Sequence, residues 1–369
     1  MSQSKLISEG QEMMAVCNAC RYCEAFCAVW PAMEYRRDFA EGDLNYLANL
    51  CHNCSECYYA CQYAPPHEWM INPPQTFAKI RAQNYEQFAW PKPLASAFRA
   101  NALVVSLVTA LMLVVFLLGA TQGLGGKSLG TPVAGGNFYQ ITSHEVLVLA
   151  FGAAGLFAAL SLLIGVVRFW RNTGEVPSDL TNPPALMLAI KEVLSLKYLD
   201  QGGYGCAYPE DESSQSRRWL HHITFYGFLS CFVATTLGAI YYYGFGWTGP
   251  YGYASLPVIF GTLGGFGLLV GPIGLWWLKT RRNRDLEDEK QYGMEMAFIV
   301  MLLLTSASGL LLLILRESAA MGSLLVIHLG IVMAFFLTVP YGKFVHGLYR
   351  SAAILKYALE RARKKALGV

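Results

Sequence analysis

The sequence predicts an all-α protein in which a small cysteine-rich helical head precedes a bundle of six membrane-spanning helices. Three observations carry that prediction. Of 369 residues, 54% are hydrophobic and only 14% are charged, whereas an average soluble domain has about 25% charged residues. Eight of the ten cysteines fall between residues 17 and 61. The apolar residues beyond the head gather into six runs of roughly 20 residues, each long enough to cross a bilayer. A net charge of +3 gives no reason to expect a nucleic-acid partner.

The head takes residues 1–95. Met1 to Met14 is polar and lacks the apolar stretch of a signal peptide, so the head is expected to stay on the cytoplasmic side with its thiols reduced. Cys17, Cys20, Cys23 and Cys27 form a C-x2-C-x2-C-x3-C run, and Cys51, Cys54, Cys57 and Cys61 repeat it. Three thiolates at intervals of three wrap three corners of an iron–sulfur cube, and the fourth is reached from another direction. In two-cluster ferredoxins the fourth cysteine of each run serves the other cluster. Cys17, Cys20, Cys23 and Cys61 are therefore expected at one [4Fe-4S] cluster, and Cys51, Cys54, Cys57 and Cys27 at a second. Structural zinc sites use two pairs across a long loop instead. The generic run ends in Cys-Pro, but Ala28 follows Cys27 and Gln62 follows Cys61, which points to a more helical variant. Ala40–Leu50 reads as a short helix between the runs. His52 and His67 read as surface or supporting residues, and no C-x-x-C-H motif for covalent haem attachment is present.

Residues 96–345 form the membrane body, with spans expected near 100–119, 145–167, 223–243, 256–278, 296–315 and 321–341. The loops after spans two and four and the tail hold six, five and seven basic residues, and the alternate loops hold only Lys127 and Arg316. The positive-inside rule puts both termini in the cytoplasm. Residues 346–369 are read as a basic cytoplasmic tail. In the long loop after span two, Pro183–Tyr198 has amphipathic spacing, and 200–218 is rich in turn residues. The glycines of span four (Gly261, Gly264, Gly265, Gly267, Gly271) suit close helix packing.

Histidine in a span is costly in lipid and a candidate for function. His328 lies inside span six and His346 closes it, 18 residues later. On one continuous helix that is five turns, so both rings would leave one face about 27 Å apart. Matching depths suggest two bis-histidine haem sites. The inner one pairs His222, or alternatively His221, with His346. The outer one pairs His144 with His328. His221 and His222 diverge by about 100°, so at most one is a ligand.

The segments CRYCEAFCAVWPAMEYRR, GDLNYLANLCHNCSECYYACQYAPPHE and GGYGCAYPEDESSQSRRWLHHITFYGF closely resemble the tricarballylate/citrate utilization protein B family, and the resemblance spans nearly the whole chain. It implies a multi-pass protein of the bacterial inner membrane with two [4Fe-4S] clusters and one or two b-type haems. Such a protein reoxidises a partner FAD-dependent dehydrogenase and reduces quinone. The spacing of His328 and His346 more distantly resembles a nitrate reductase cytochrome b subunit. The residues after His222 resemble a haem-bearing helix of heterodisulfide-reductase-type cytochromes, which favours His222 over His221. No G-x-G-x-x-G follows a strand, so flavin is expected on the partner, and the chain reads as an electron-transfer subunit without substrate chemistry of its own. Cys206, Arg217 and Arg218 are candidates for a quinone or partner site. The alternatives are a transporter with a redox-sensing head, a thiol/disulfide reductase membrane subunit using Cys206, and a structural anchor for the flavoprotein.

Overall fold

The computed structural model describes residues 3–123 and 129–367; Lys127 lies outside them. The head is built from α1 (Gln3–Cys20), α2 (Val29–Met33), α3 (Glu41–Leu50), α4 (Glu56–Tyr59) and α5 (Pro73–Phe88). The helix expected at 40–50 is α3. Its start is fixed by Asp43, whose carboxylate accepts from the Ala40 N–H at 3.3 Å. Asn72 caps α5 by accepting from Gln75 N–H, and Pro73 and Pro74 occupy the first turn, where a missing N–H does no harm. Leu44 and Leu47 of α3, Phe77 and Ile80 of α5, and Met14 and Met33 meet in a fully buried core.

The six spans are α7 (Asn101–Gly123), reached through the short α6 (Lys92–Ala97), then α8 (His144–Asn172), α10 (Ser216–Phe245), α11 (Leu256–Thr280), α12 (Glu289–Ile314) and α13 (Met321–Thr338). Between spans two and three lie α9 (Pro183–Leu194) and a hairpin of β1 (Cys206–Ala207) and β2 (Ser213–Ser214), the only strands among the described residues. All six expected spans are present as helices long and apolar enough to cross a membrane. On the basic side several run one or two turns past the expected boundaries, where polar ends such as Ser216–Arg218 continue the helix.

The most buried span is α13, which packs against α7, α8 and α12. The packing of α11 on α12 and of α10 on α11 extends the bundle. The glycines of α11 serve that last contact, as expected: a Cβ added at Gly267 would lie 3.0 Å from Gly227 Cα, and one at Gly271 would lie 2.3 Å from Thr224 Oγ1.

Two expectations are corrected. His328 and His346 do not share one helix. The α13 helix ends at Thr338, a 3-10 turn covers Val339–Tyr341, and a new helix, α14 (Val345–Leu367), begins after Gly342. Pro340 supplies the reason, because it lacks an N–H and crowds the preceding turn. The basic tail expected at 346–369, for its part, is not a separate segment but the helix α14, packed into the head. Ala353, Ile354, Tyr357 and Leu359 of α14 are buried in the head core, and Glu360 accepts from Arg36 at 2.5 Å and from the Tyr46 hydroxyl at 2.9 Å. One face of α9 packs on α14 through Ala185, Ala189 and Glu192, and the opposite face leaves Met187 and Ile190 exposed. The head, the basic loops and α14 thus gather at one end of the bundle.

Candidate cofactor sites

The two cysteine runs leave their helices in different ways. The first winds off the end of α1 in tight turns, with Arg21 N–H donating to Cys17 O at 2.9 Å and Phe26 N–H donating to Cys23 O at 3.0 Å. The second leaves α3 through two residues in the left-handed region, Asn53 (φ 57°) and Ser55 (φ 74°), and re-enters a helix at Glu56. Cys17, Cys20, Cys23 and Cys61 line a cavity of about 260 Å³. Cys27, Cys51 and Cys54 line a narrower cleft of about 10 Å³, and Cys57 borders both spaces.

Each fourth cysteine thus faces the other run. Burial, followed by the neighbouring Cys61 and Cys20, pushes the Cys23 thiol up to about 12. Burial, followed by Cys51, pushes Cys27 up to about 12 against the opposing backbone N–H groups of Val29 and Trp30. Among the described residues no three Cys, His, Asp or Glu side chains converge on a single-ion site; the thiols surround a space instead. Facing thiols that resist ionisation next to one another are the donor set that a cationic multi-iron core would satisfy.

Under the second run stand two imidazoles. The His221 and His346 rings lie 6.2 Å apart, centroid to centroid, a gap that two metal–nitrogen bonds of about 2.0 Å each plus the ring radii span. His346 Nδ1–H donates to Lys343 O, which leaves Nε2 as the nitrogen able to ligate a metal. Burial, then the charges of Arg350 and Lys343, hold His346 well below its ordinary range, in the neutral form that ligates metal. Of the two candidates on α10, His221 faces His346, whereas His222 turns to Trp219 and Tyr226. Among the described residues, the buried His221 Nδ1 and His222 Nε2 both lack a hydrogen-bond partner.

The outer pair is not brought together. His144 opens α8 among aromatic rings and stacks on Tyr242 at 3.7 Å. His328 lies two turns down α13 with its Nδ1 3.0 Å from Ser308 Oγ, and its Cε1 is 3.0 Å from where a Cβ on Gly309 would stand. The two rings face different helices, α10 and α12.

The residues of the third expected site lie within the packing and hydrogen bonding that join the long loop to the second cysteine run. Cys206 is 0% exposed and packs with Cys54, Leu199, Tyr208 and Leu278. Arg218 binds Asp200 and donates to Ser195 O at 3.1 Å. Arg217 donates to Asn53 O at 3.0 Å and lies over the Tyr208 ring.

Sequence reasoning missed Arg81, Arg282, Arg350 and Gln201. Arg81 and Arg350 donate to Cys51 O at 3.3 and 2.9 Å. Arg282 donates to Asn53 O at 3.4 Å and to Ser55 Oγ at 3.0 Å. Gln201 Nε2–H donates to Cys54 Sγ at 3.0 Å. Positive-inside anchoring already accounted for Arg282 and Arg350 in the sequence, so nothing there singled them out.

The comparisons with known proteins divide the chain at the same joint. A family model described as the citrate utilization protein B Fer4-like domain matches residues 10–87, and one described as citrate utilization protein B matches residues 96–367. A curated relative from Escherichia coli, citrate utilization protein B, is 49% identical over 363 residues, covering 98% of this chain and 94% of its own length. No solved structure matches. The ferredoxin-like cysteine head, the six apolar helices and the match along almost the full length together show that this chain belongs to the citrate utilization protein B family.

Proposed function

We propose that this chain carries electrons from a reduced flavoprotein to quinone. The donor is an FAD-dependent dehydrogenase of tricarballylate- or citrate-type acids docked on the cytoplasmic head, and the quinone lies in the bacterial inner membrane. The relative named for citrate utilization and the Fer4-like head support this reading. Bound in the head and under it, two [4Fe-4S] clusters and b-type haem supply one-electron chemistry between a two-electron flavin and the membrane acceptor.

Cys17, Cys20, Cys23 and Cys61 hold one cluster, and Cys51, Cys54, Cys57 and Cys27 hold the other. Because Cys57 borders both spaces, the two sites adjoin. His221 and His346 would hold the inner haem through their ring nitrogens. Lys343 O fixes the His346 ring, as supporting groups commonly do for ligating histidines.

One observation carries the proposal. Arg217 precedes His221 by four residues and Arg350 follows His346 by four, so each lies on the same helix face as its imidazole. Both arginines bond the second cysteine loop. The two helices that carry the imidazoles therefore also hold the loop, through side chains one turn away, which continues a path from head to membrane.

The test is anaerobic purification after haem-replete expression. Roughly eight cluster irons per chain, as two cubes require, and a Soret band that the reduced flavoprotein shifts to its ferrous form are expected. Zinc in place of iron, or no Soret band, would overturn the reading.

A further inference from the structure

The second cysteine loop carries a feature that the first lacks. Four guanidinium groups from four separate segments close on its backbone: Arg81 from α5, Arg217 from α10, Arg282 from the loop after α11 and Arg350 from α14. Arg81 and Arg282 are buried. Among the described residues only Arg282 has a carboxylate, Glu287 at 3.5 Å. Glu56, the acidic residue of the loop itself, is engaged by the Ser213 hydroxyl at 2.7 Å. Two N–H donors also reach its sulfurs, Gln201 to Cys54 at 3.0 Å and Asn53 to Cys51 at 3.3 Å.

The first loop is in a different setting. Arg21, Tyr22 and Glu24 are exposed to water. Arg36, a partly buried cation further along the head, is neutralised by Asp43 and Glu360, each at 2.5 Å. Cations buried without carboxylates are costly unless an anion meets them. Cysteine-ligated iron–sulfur clusters are anionic, and reduction adds a further negative charge.

We propose that the arginine clamp makes the second site the higher-potential cluster, so that electrons are taken up at the exposed first run and leave through the second. This rests on the iron–sulfur reading above. Each transfer moves one electron, oxidising the first site as the second is reduced; no bond forms and no proton moves, and the reduced flavin of the partner is the donor. Burial alone disfavours the more charged reduced form. The same burial removes the water that would screen the four cations, and cluster potentials follow local charge and hydrogen bonds to sulfur. Charge complementarity therefore sets the sign.

The test uses full-length protein in detergent, with each cluster followed by EPR during anaerobic redox titration. Cys20→Ser and Cys54→Ser assign the signals, each removing one. The wild-type signal lost in Cys54→Ser is expected to titrate at the higher potential. Arg282→Gln and Arg217→Gln are each expected to lower that potential by about 59 mV, a tenfold loss in the one-electron reduction equilibrium, and to leave the other cluster unmoved. Arg282→Lys and Arg217→Lys are expected to restore it. A higher potential for the first-run cluster, or glutamine variants that move neither cluster, would overturn the proposal while the EPR signals themselves kept the iron–sulfur reading intact. Should one glutamine variant fail to fold, the wild-type order and the other variant still decide. Absence of both signals with iron missing would instead sink the reading beneath it.

Discussion

Two stretches of this chain share one cysteine spacing and have opposite surroundings. Residues 17–27 face water, with Tyr22 68% exposed. Residues 51–61 lie at the base of the head, with Cys51 and Cys54 buried and the carbonyls of Asn53 and Cys51 gripped by Arg217 of α10 and Arg350 of α14. Spacing defines what a cysteine run can bind; packing defines where in an electron path it stands. The contrast suits an outer site that meets a soluble donor and an inner site that meets the bilayer.

The sharpest way to break the comparison is to remove one thiol at a time. Cys61→Ser is expected to abolish the same EPR signal as Cys20→Ser, and Cys27→Ser the same signal as Cys54→Ser, with iron falling from about eight to about four per chain. Loss of the signal belonging to each cysteine's own run would mean that the fourth ligands are not crossed.

Next in size is the effect on the haem proposed beneath the second loop. His221→Ala and His346→Ala are each expected to lose the Soret band of the inner site. His222→Ala and His144→Ala are expected to keep it, because their rings face Trp219 and Tyr242. Retention in His221→Ala with loss in His222→Ala would reverse the assignment.

A smaller effect tests how the head is held over the bundle. The Glu192 side chain is 2% exposed and accepts from Arg361 through both oxygens, and from Lys197 and Tyr198, each at 2.8 Å. Burial raises its pKa, but the bonds from Arg361, Lys197 and Tyr198 outweigh burial and hold it below its ordinary 4.5. A depressed carboxylate stabilises the fold above its unfolded value, and that contribution is lost as pH falls through the folded one. Thermal stability is therefore expected to drop as pH falls below 4.5. Glu192→Ala is expected to cost about 3 kcal/mol, the low end for breaking a buried pair, because Lys197 reaches water. A pH profile unchanged by the substitution would refute this role.

The smallest expected effect is a control on the first loop. The Arg21 side chain is exposed and, among the described residues, donates only to Asn18 O at 3.0 Å, so Arg21→Gln is expected to leave both cluster potentials unchanged in the same titration, since exposed charges are screened. A shift as large as that of Arg282→Gln would erase the distinction between the loops.

The sequence alone determined what local pattern can encode. The two cysteine runs, the α3 helix between them, the six spans and the glycine face of α11 were legible because each follows from residue spacing and apolar length within one segment. Tertiary structure decided whatever depends on separate segments meeting. Which of His221 and His222 turns toward His346 depends on the rotation of α10 against its neighbours. Pro340 and Gly342 divide what a purely helical count joined across His328 and His346. The basic tail becomes part of the head core because its apolar stripe packs against α3 there. The arginine clamp has no motif at all: positions 81, 217, 282 and 350 are remote in the chain, and only folding brings four like charges around one loop, where a negative group between them can offset their repulsion.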